Sequence, residues 1–446
     1  MKLALIGCTP AAVFLAKGIA QVAKDLDIER LTICSADKEA LSAFGVLAQK
    51  TASLLDQKLT VRTVDNRVEA LMGADVVLAD LSAPSAREEE RISAAVLGRG
   101  LVDRHGLGAR GFAEALRLTP SFVKLCDLTA RYGAPGAVLL NLTVPCGVLV
   151  HAARAAGFDF VFGAPVRYEM MSFLAAAVLR REPQTLVFRG AGSAELGALI
   201  AAEDGDGDLL PSVLRSEALF KNAAYKFLPP MLLRRRGCLL SADWGPYLCW
   251  ERCLSRAGPE NAVPVRLARA QADCAAKLLL LDIDNEYREA LQVYRGFLYQ
   301  AANLGAALGE GRGGTEFDPF TLASAPRARA VLTLLEALAG EKEKNVPLIA
   351  PGDGVCAQLP PWAAVLCTCA VSKRGIRPVG AETPDEDSLE EIRRQTYYER
   401  RLGSALTHED LGAAAEALAM HTLVRSFSIA SALTAELAAM KLTDDG

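Results

Sequence analysis

Apolar positions in the first third of the chain fall into short unbroken runs, separated by longer stretches where they recur every three or four residues. KLALIG reads as a buried strand, PAAVFLAKGIAQVAKDL as a helix with an apolar face, RLTICSAD as a second strand and KEALSAFGVLAQKTASLL as a second helix. LTVRTV and ADVVLADL follow as strands, PSFVKLCDLTARYG as a helix opening at Pro120, and GAVLLNLT as a further strand. Strand runs alternating with helical runs of about 10–15 residues predict a parallel sheet with crossover helices. Ligands of such sheets bind beyond the carboxyl ends of the strands.

Past about residue 165 the rhythm changes. Long helical stretches cover 270–308 and 327–340, a β-like patch covers 347–371, and two helices, 388–406 and 409–440, close the chain. The prediction is an α/β protein with a Rossmann-type domain over residues 1–165 and a mostly helical α+β domain over 166–446.

The 446 residues suffice for two or three domains, and 51% hydrophobic content with a net charge of -4 suits a soluble globular protein. Without a basic patch, nucleic acid is excluded as a partner. No apolar run has the length of a membrane span, and MKLALIGC lacks the charged-then-apolar pattern of a leader, so a cytoplasmic protein is expected. The 11 cysteines are scattered, odd in number and free of CxxC pairs, which predicts buried thiols in a reducing compartment. Cys367 and Cys369 alternate on one strand, and Cys249 and Cys253 lie one helical turn apart; either pair would need two further ligands to hold a metal.

Candidate chemistry begins at LIGCTPAAV, where Gly7, a helix-capping Thr9 and a first-turn Pro10 form the entrance of a dinucleotide-binding fold. At the end of the next strand Ser35 stands where an acid would take the ribose hydroxyls, with Asp37 two positions on. EDGDGDLLP alternates Asp204, Asp206 and Asp208 as a calcium loop does, but Arg215 occupies its twelfth position; a solvated acidic loop is the other reading. Arg234 to Arg236 offer either a sugar-phosphate contact or a solvated helix end.

Taken in order, KLALIGCTPAAV, the stretch from ADVVLADL to ALRLTP, GAVLLNLTVPCG, GRGGTEFDPF, the segment NVPLIAP to RGIRPV, and ALAMHTLV resemble glycoside hydrolase family 4. These are the NAD- and metal-dependent glycosidases that stand outside the two-carboxylate scheme. The resemblance implies a lactate/malate dehydrogenase-like first domain and a family 4 C-terminal domain. It also implies a glycoside or sugar-phosphate ligand, and a homo-oligomer. Its chemistry would be oxidation of the sugar at C3 by bound NAD and removal of the C2 proton by a tyrosine. A metal held by Cys and His would polarise the oxygens. Carried onto this chain, the cofactor residues are Gly7, Thr9, Pro10, Ser35 and Asn141, and the substrate residues Asn141, Arg312 and Gly313.

Six positions depart from that pattern. The loop before Thr9 is shorter, Ser35 replaces the ribose acid, and Val144 replaces the second Asn. FDFVFGAPVRYE lacks the metal Cys, EMMSFLAAAVLRR lacks the His, and Phe317 stands in place of the tyrosine. His105, where the family often has a catalytic Glu, Cys146 and Glu316 remain as replacement groups; Cys146 with His105 could rebuild a metal site, the other reading being a buried thiol and a loop histidine. The expectation is a family 4-like protein that keeps NAD as a candidate cofactor, expects no divalent metal, and has diverged or lost catalysis. The alternatives are an active glycosidase with replaced groups, or a non-catalytic subunit of an active paralogue.

Overall fold

Six short aliphatic runs form the parallel core of the larger sheet: β1 (Lys2–Ile6), β2 (Arg30–Cys34), β3 (Thr60–Val64), β4 (Val76–Ala79), β5 (Val138–Asn141) and β6 (Val161–Gly163). β4, β5 and β6 are buried at every position. Helices cover both faces, so these strands read as continuous apolar runs rather than alternating ones. Their order is β3-β2-β1-β4-β5-β6, and β1 pairs in parallel with both β2 and β4. The chain therefore reverses direction across the sheet between β1 and β4, where such folds open a ligand crevice. The computed structural model describes residues 1–81, 84–222, 225, 227–254, 258–307 and 325–440. The expectations placed on Arg312, Gly313, Glu316 and Phe317 lie outside the described residues.

A smaller sheet holds β7 (Val187–Gly192), β8 (Gly197–Asp204), β9 (Gly207–Asp208) and β10 (Leu239–Leu240). The β-like patch of the sequence becomes β11 (Lys344–Pro351) and β12 (Ala364–Ser372), joined by β13 (Gly375–Gly380). β11 pairs antiparallel with β6, so the nine-stranded sheet takes strands from both sides of residue 165.

Among the described residues, eleven helices have ten or more residues: α1 (Ala11–Val22), α2 (Ala86–Leu97), α3 (Gly108–Tyr132), α4 (Cys146–Ala155), α5 (Val166–Leu179), α6 (Val263–Leu278), α7 (Tyr287–Ala307), α8 (Pro326–Leu338), α9 (Glu386–Thr407), α10 (Leu411–Met420) and α11 (Phe427–Ala439). Three differ from the sequence reading. α3 starts at Gly108 and carries Pro120 in its interior, because buried Phe112, Ala115, Phe122 and Cys126 keep one apolar face running through the proline. The stretch 270–308 is broken between Leu278 and Tyr287, where the Asp282 carboxylate accepts from the Asp284 and Asn285 amides in the turn that leads to α7. The last helix is broken between α10 and α11, where Ser426 caps α11 by accepting from the Ile429 amide. Ten of the 11 cysteines are buried; Cys249 is the junction between two four-residue helices and Cys253 ends the second.

Candidate functional site

At the carboxyl ends of β1 and β4 the crevice is crossed by backbone. Gly7 has φ +106°, and a Cβ built on it would lie 1.8 Å from the carbonyl oxygen of Asp80. Its own amide donates to the Cys34 carbonyl at 2.8 Å, and the Asp80 amide donates to Ile6 at 2.8 Å. The glycine thus admits the chain leaving β4.

The start of α1 is equally engaged. The Thr9 hydroxyl accepts from the Ala11 amide at 3.1 Å and donates to Asp80 Oδ2 at 2.5 Å, while the Thr9 carbonyl accepts from the Ala12 amide at 2.9 Å. Asp80 is 3% exposed, and its other oxygen lies 3.4 Å from the Arg327 guanidinium at the start of α8. A helix N-terminus favours an anion through its orphan amides and its dipole. Here a carboxylate of the protein itself, Asp80, reaches the helix start through the Thr9 hydroxyl. Pro10 gives its carbonyl to the Tyr294 hydroxyl at 2.6 Å. Ser35 is buried, and its hydroxyl accepts from the Asp37 amide at 3.2 Å; Asp37 in turn caps the following helix by accepting from the Ala40 amide at 2.9 Å.

Asn141 ends β5 with no exposed surface. Its side chain accepts from the Thr143 amide at 3.0 Å and donates to the Thr143 carbonyl at 3.1 Å, closing the turn that leads into α4. Cys146 opens α4. Burial and the nearby Glu195 and Glu399 carboxyls push its thiol well above the ordinary range, so it stays protonated. Gly163 at the end of β6 makes room for that sulfur, since a Cβ there would lie 2.4 Å from it.

A buried polar cluster surrounds these turns. His105 Nδ1 meets Glu114 Oε1 at 2.5 Å, and the other Glu114 oxygen accepts from the Gly106 amide at 2.8 Å. Burial works against the imidazolium, but the Glu114 carboxylate outweighs it and raises the His105 pKa. Burial likewise opposes charge on Glu114, yet His105, Arg110 and the Gly106 amide together lower it. Arg110, wholly buried in α3, also pairs with Glu89 and lies 3.5 Å from Asp103. A second group joins Arg104 to Asp243 at 2.8 Å, with Arg167 on the same carboxylate. Beside Gly106 sits Glu195, from the turn between β7 and β8, facing Glu399 of α9.

Sequence reasoning named His105 and Cys146 but missed Asp80, Arg327, Glu114, Glu195 and Glu399. The structure brings His105 and Cys146 to the same end of the sheet, each bound to groups of its own surroundings rather than to the other. Elsewhere, Asp204 and Asp208 spend their carboxylates on turn amides, and Arg234 and Arg236 reach the Leu214 carbonyl and the Asp385–Ser388 cap. Among the described residues no three His, Cys, Asp or Glu side chains converge as metal ligands, and no helix is long and apolar enough to cross a membrane.

Two family models match the sequence: family 4 glycosyl hydrolase over residues 3–159, and family 4 glycosyl hydrolase C-terminal domain over 260–424. A search of curated proteins finds no match. Among solved structures, the 6-phospho-beta glucosidase of Thermotoga maritima, determined with NAD and glucose-6-phosphate, superposes with TM-score 0.79 at 19% identity over 100% of both chains. A 6-phospho-alpha-glucosidase from gut microorganisms, in complex with NAD and Mn2+, gives TM-score 0.79 at 17% identity over 99% of each chain. A lactate dehydrogenase from a deep-sea metagenome gives 0.52 at 10% identity, covering 93% of this chain and 98% of its own.

Proposed function

Because the chain belongs to glycosyl hydrolase family 4, we propose that it is a glycosidase-like protein that binds a sugar phosphate and has lost nicotinamide- and metal-dependent catalysis. The observation that carries the second half is Asp80. A dinucleotide would lay its pyrophosphate against the N-terminus of α1, but the Asp80 carboxylate is bonded there through Thr9 and closed from the other side by Arg327. Further negative charge at that point meets the Asp80 carboxylate, answered by the single Arg327 guanidinium. The ribose side offers Ser35, whose hydroxyl already holds the Asp37 amide, in place of a carboxylate. The residues present do not fit the dinucleotide.

The metal fares no better. Binding requires a deprotonated thiol and an imidazole nitrogen free to ligate. Burial and the Glu195 and Glu399 carboxyls hold Cys146 as a thiol, and among the described residues no three His, Cys, Asp or Glu side chains converge as ligands. The sugar-phosphate half of the reading is supported by family membership and by the glucose-6-phosphate bound in the Thermotoga maritima relative.

Titration calorimetry of the full chain with NAD+, NADH, Mn2+ and glucose 6-phosphate, each alone, tests both halves. Saturable heat is expected from the sugar phosphate and none from either dinucleotide at millimolar concentration. Release of nitrophenol from a nitrophenyl 6-phosphoglucoside that requires both NAD+ and Mn2+ overturns the proposal.

A further inference from the structure

The turn between β7 and β8 and the middle of α9 bring two glutamates face to face inside the protein. Glu195 is 3% exposed and Glu399 is fully buried. Both carboxyls lie against Gly147 at the start of α4: its amide donates to Glu195 Oε1 at 3.4 Å, a Cβ built on it would lie 2.3 Å from Glu399 Oε2, and Oε2 of each carboxyl has no hydrogen-bond partner. Two carboxylates packed at one glycine in a dry site repel each other, and that like-charge cost keeps one of them protonated.

The surrounding bonds say which. The Leu423 amide donates to His421 Nδ1 at 3.1 Å, so the proton of this neutral imidazole sits on Nε2 and points at the Tyr247 hydroxyl, 3.3 Å away. Tyr247 donates to Gln395 Oε1 at 3.0 Å, and Gln395 Nε2 donates to Glu399 Oε1 at 2.9 Å. This chain gives Glu399 one donor, Gln395, which by itself favours the charged form. Burial raises the Glu195 pKa as well, but against it Glu195 accepts from the Gly147 amide at 3.4 Å, and the Cys146 amide and Arg167 also favour its charged form, more support than Glu399 receives. The ion thus sits on Glu195, over the positive N-terminus of the ten-residue helix α4. The proton sits on Glu399.

We propose that this single proton is a latch that fastens α9, from the C-terminal part of the chain, to the N-terminus of α4 in the parallel domain. The fit has no slack: a Cβ on Gly147 would lie 2.3 Å from Glu399 Oε2. Without the proton, two like charges would be pressed together in a dry site, and α9 would have to move away. The other titratable or charged groups facing the pair are Cys146 from α4, Arg167 from α5, Tyr247, Tyr398 and Glu391 from α9, Glu114 from α3, and His421. Burial holds Cys146, Tyr247 and Tyr398 protonated and takes His421 down to about 3, so none of these changes charge near neutrality. Burial, and then the charge of Glu195, raise Glu399 well above the carboxylate range. A raised folded pKa contributes stability that is complete below the unfolded value and is lost as pH rises through the folded one. The latch therefore opens on the alkaline side.

Glu399→Gln replaces the shared proton with a permanent N–H donor. The melting temperature of the wild type is expected to fall by several degrees between pH 6 and pH 9, with the His105–Glu114 pair contributing part of the fall. Glu399→Gln should flatten the share that His105→Gln leaves behind. Infrared spectra at pH 7 should show a protonated carboxylic acid band that is lost in Glu399→Gln. Parallel pH–melting curves for wild type and Glu399→Gln overturn the proposal. So does the absence from the wild type of a protonated carboxyl that titrates above pH 7, a measurement that needs no variant.

Discussion

Gly7→Ala is expected to be the most damaging glycine-to-alanine change among the described residues. The added Cβ meets backbone, 1.8 Å from the Asp80 carbonyl oxygen and 2.6 Å from its carbon, so no side chain can swing aside. Overpacking of this kind costs about 1–3 kcal/mol when neighbours can shift, and more when the obstacle is a strand end. The φ of +106° adds a second cost of about 1–3 kcal/mol for a residue with a Cβ. Against a total of about 5–15 kcal/mol, the variant should lose a large share of its stability, or fail to accumulate as folded protein. Gly73 is the control: it also has positive φ, +64°, but nothing lies within 4 Å of its added Cβ. Gly73→Ala isolates the backbone cost, and urea midpoints for the two variants separate strain from collision. Equal midpoints would show that the crossing of β1 and β4 is not as tight as described.

That crossing also shows how far the sequence could be read. β1, β2, β4, β5 and α1 are legible because strands buried on both faces become unbroken apolar runs, and α1 keeps a single apolar face behind a Thr-Pro start. Pro120 misled because proline is usually a helix start or end, and only packing around Phe112 and Phe122 shows that the helix continues through it. At the breaks by Asp282 and Ser426 one side chain each accepts from amides a few residues on, an event with no periodic signature.

In the site, Gly7, Thr9 and Pro10 were found as a motif, but their partner was not. An acid at the end of ADVVLADL is an ordinary strand terminus until the fold lays it on α1. Glu399 left a fainter signal. It shares a helical face with Leu389, Ile392, Gln395, Leu402 and Leu406, all buried, so a carboxyl and an amide one turn apart interrupt an apolar stripe. Inside the run of charges in YYERRL that interruption is hard to see, because the sequence does not say which of its charged residues turns inward.

Arg110→Met should rival the glycine change in size and differ from it in pH dependence. Arg110 is wholly buried and is the guanidinium that Glu89, Asp103 and Glu114 share; methionine keeps most of the volume and removes the charge. Breaking a buried pair from one side costs about 3–5 kcal/mol, because the surviving charge stays dry and unpaired. Glu114 would keep the His105 imidazolium and the Gly106 amide, while Glu89 and Asp103 would lose the guanidinium they share. In the wild type the Glu114 pKa is lowered, so its contribution is present above the unfolded value of about 4.5 and is lost as pH falls through the folded one. The His105 pKa is raised, so its contribution is complete below about 6.5 and is lost as pH rises through the folded value. The pair therefore supports the fold best between about pH 4.5 and 6.5. In Arg110→Met the acidic limb should reverse: protonating the stranded carboxyls relieves the variant, and its deficit against wild type should narrow below about pH 4.5. Adding Glu89→Gln removes one of the stranded charges and should recover part of the loss at neutral pH, a coupling that a double-mutant cycle in urea measures directly. A deficit unchanged from pH 4 to pH 8, with no recovery in the double variant, would mean that Arg110 serves as packing volume and not as the charge its neighbours share.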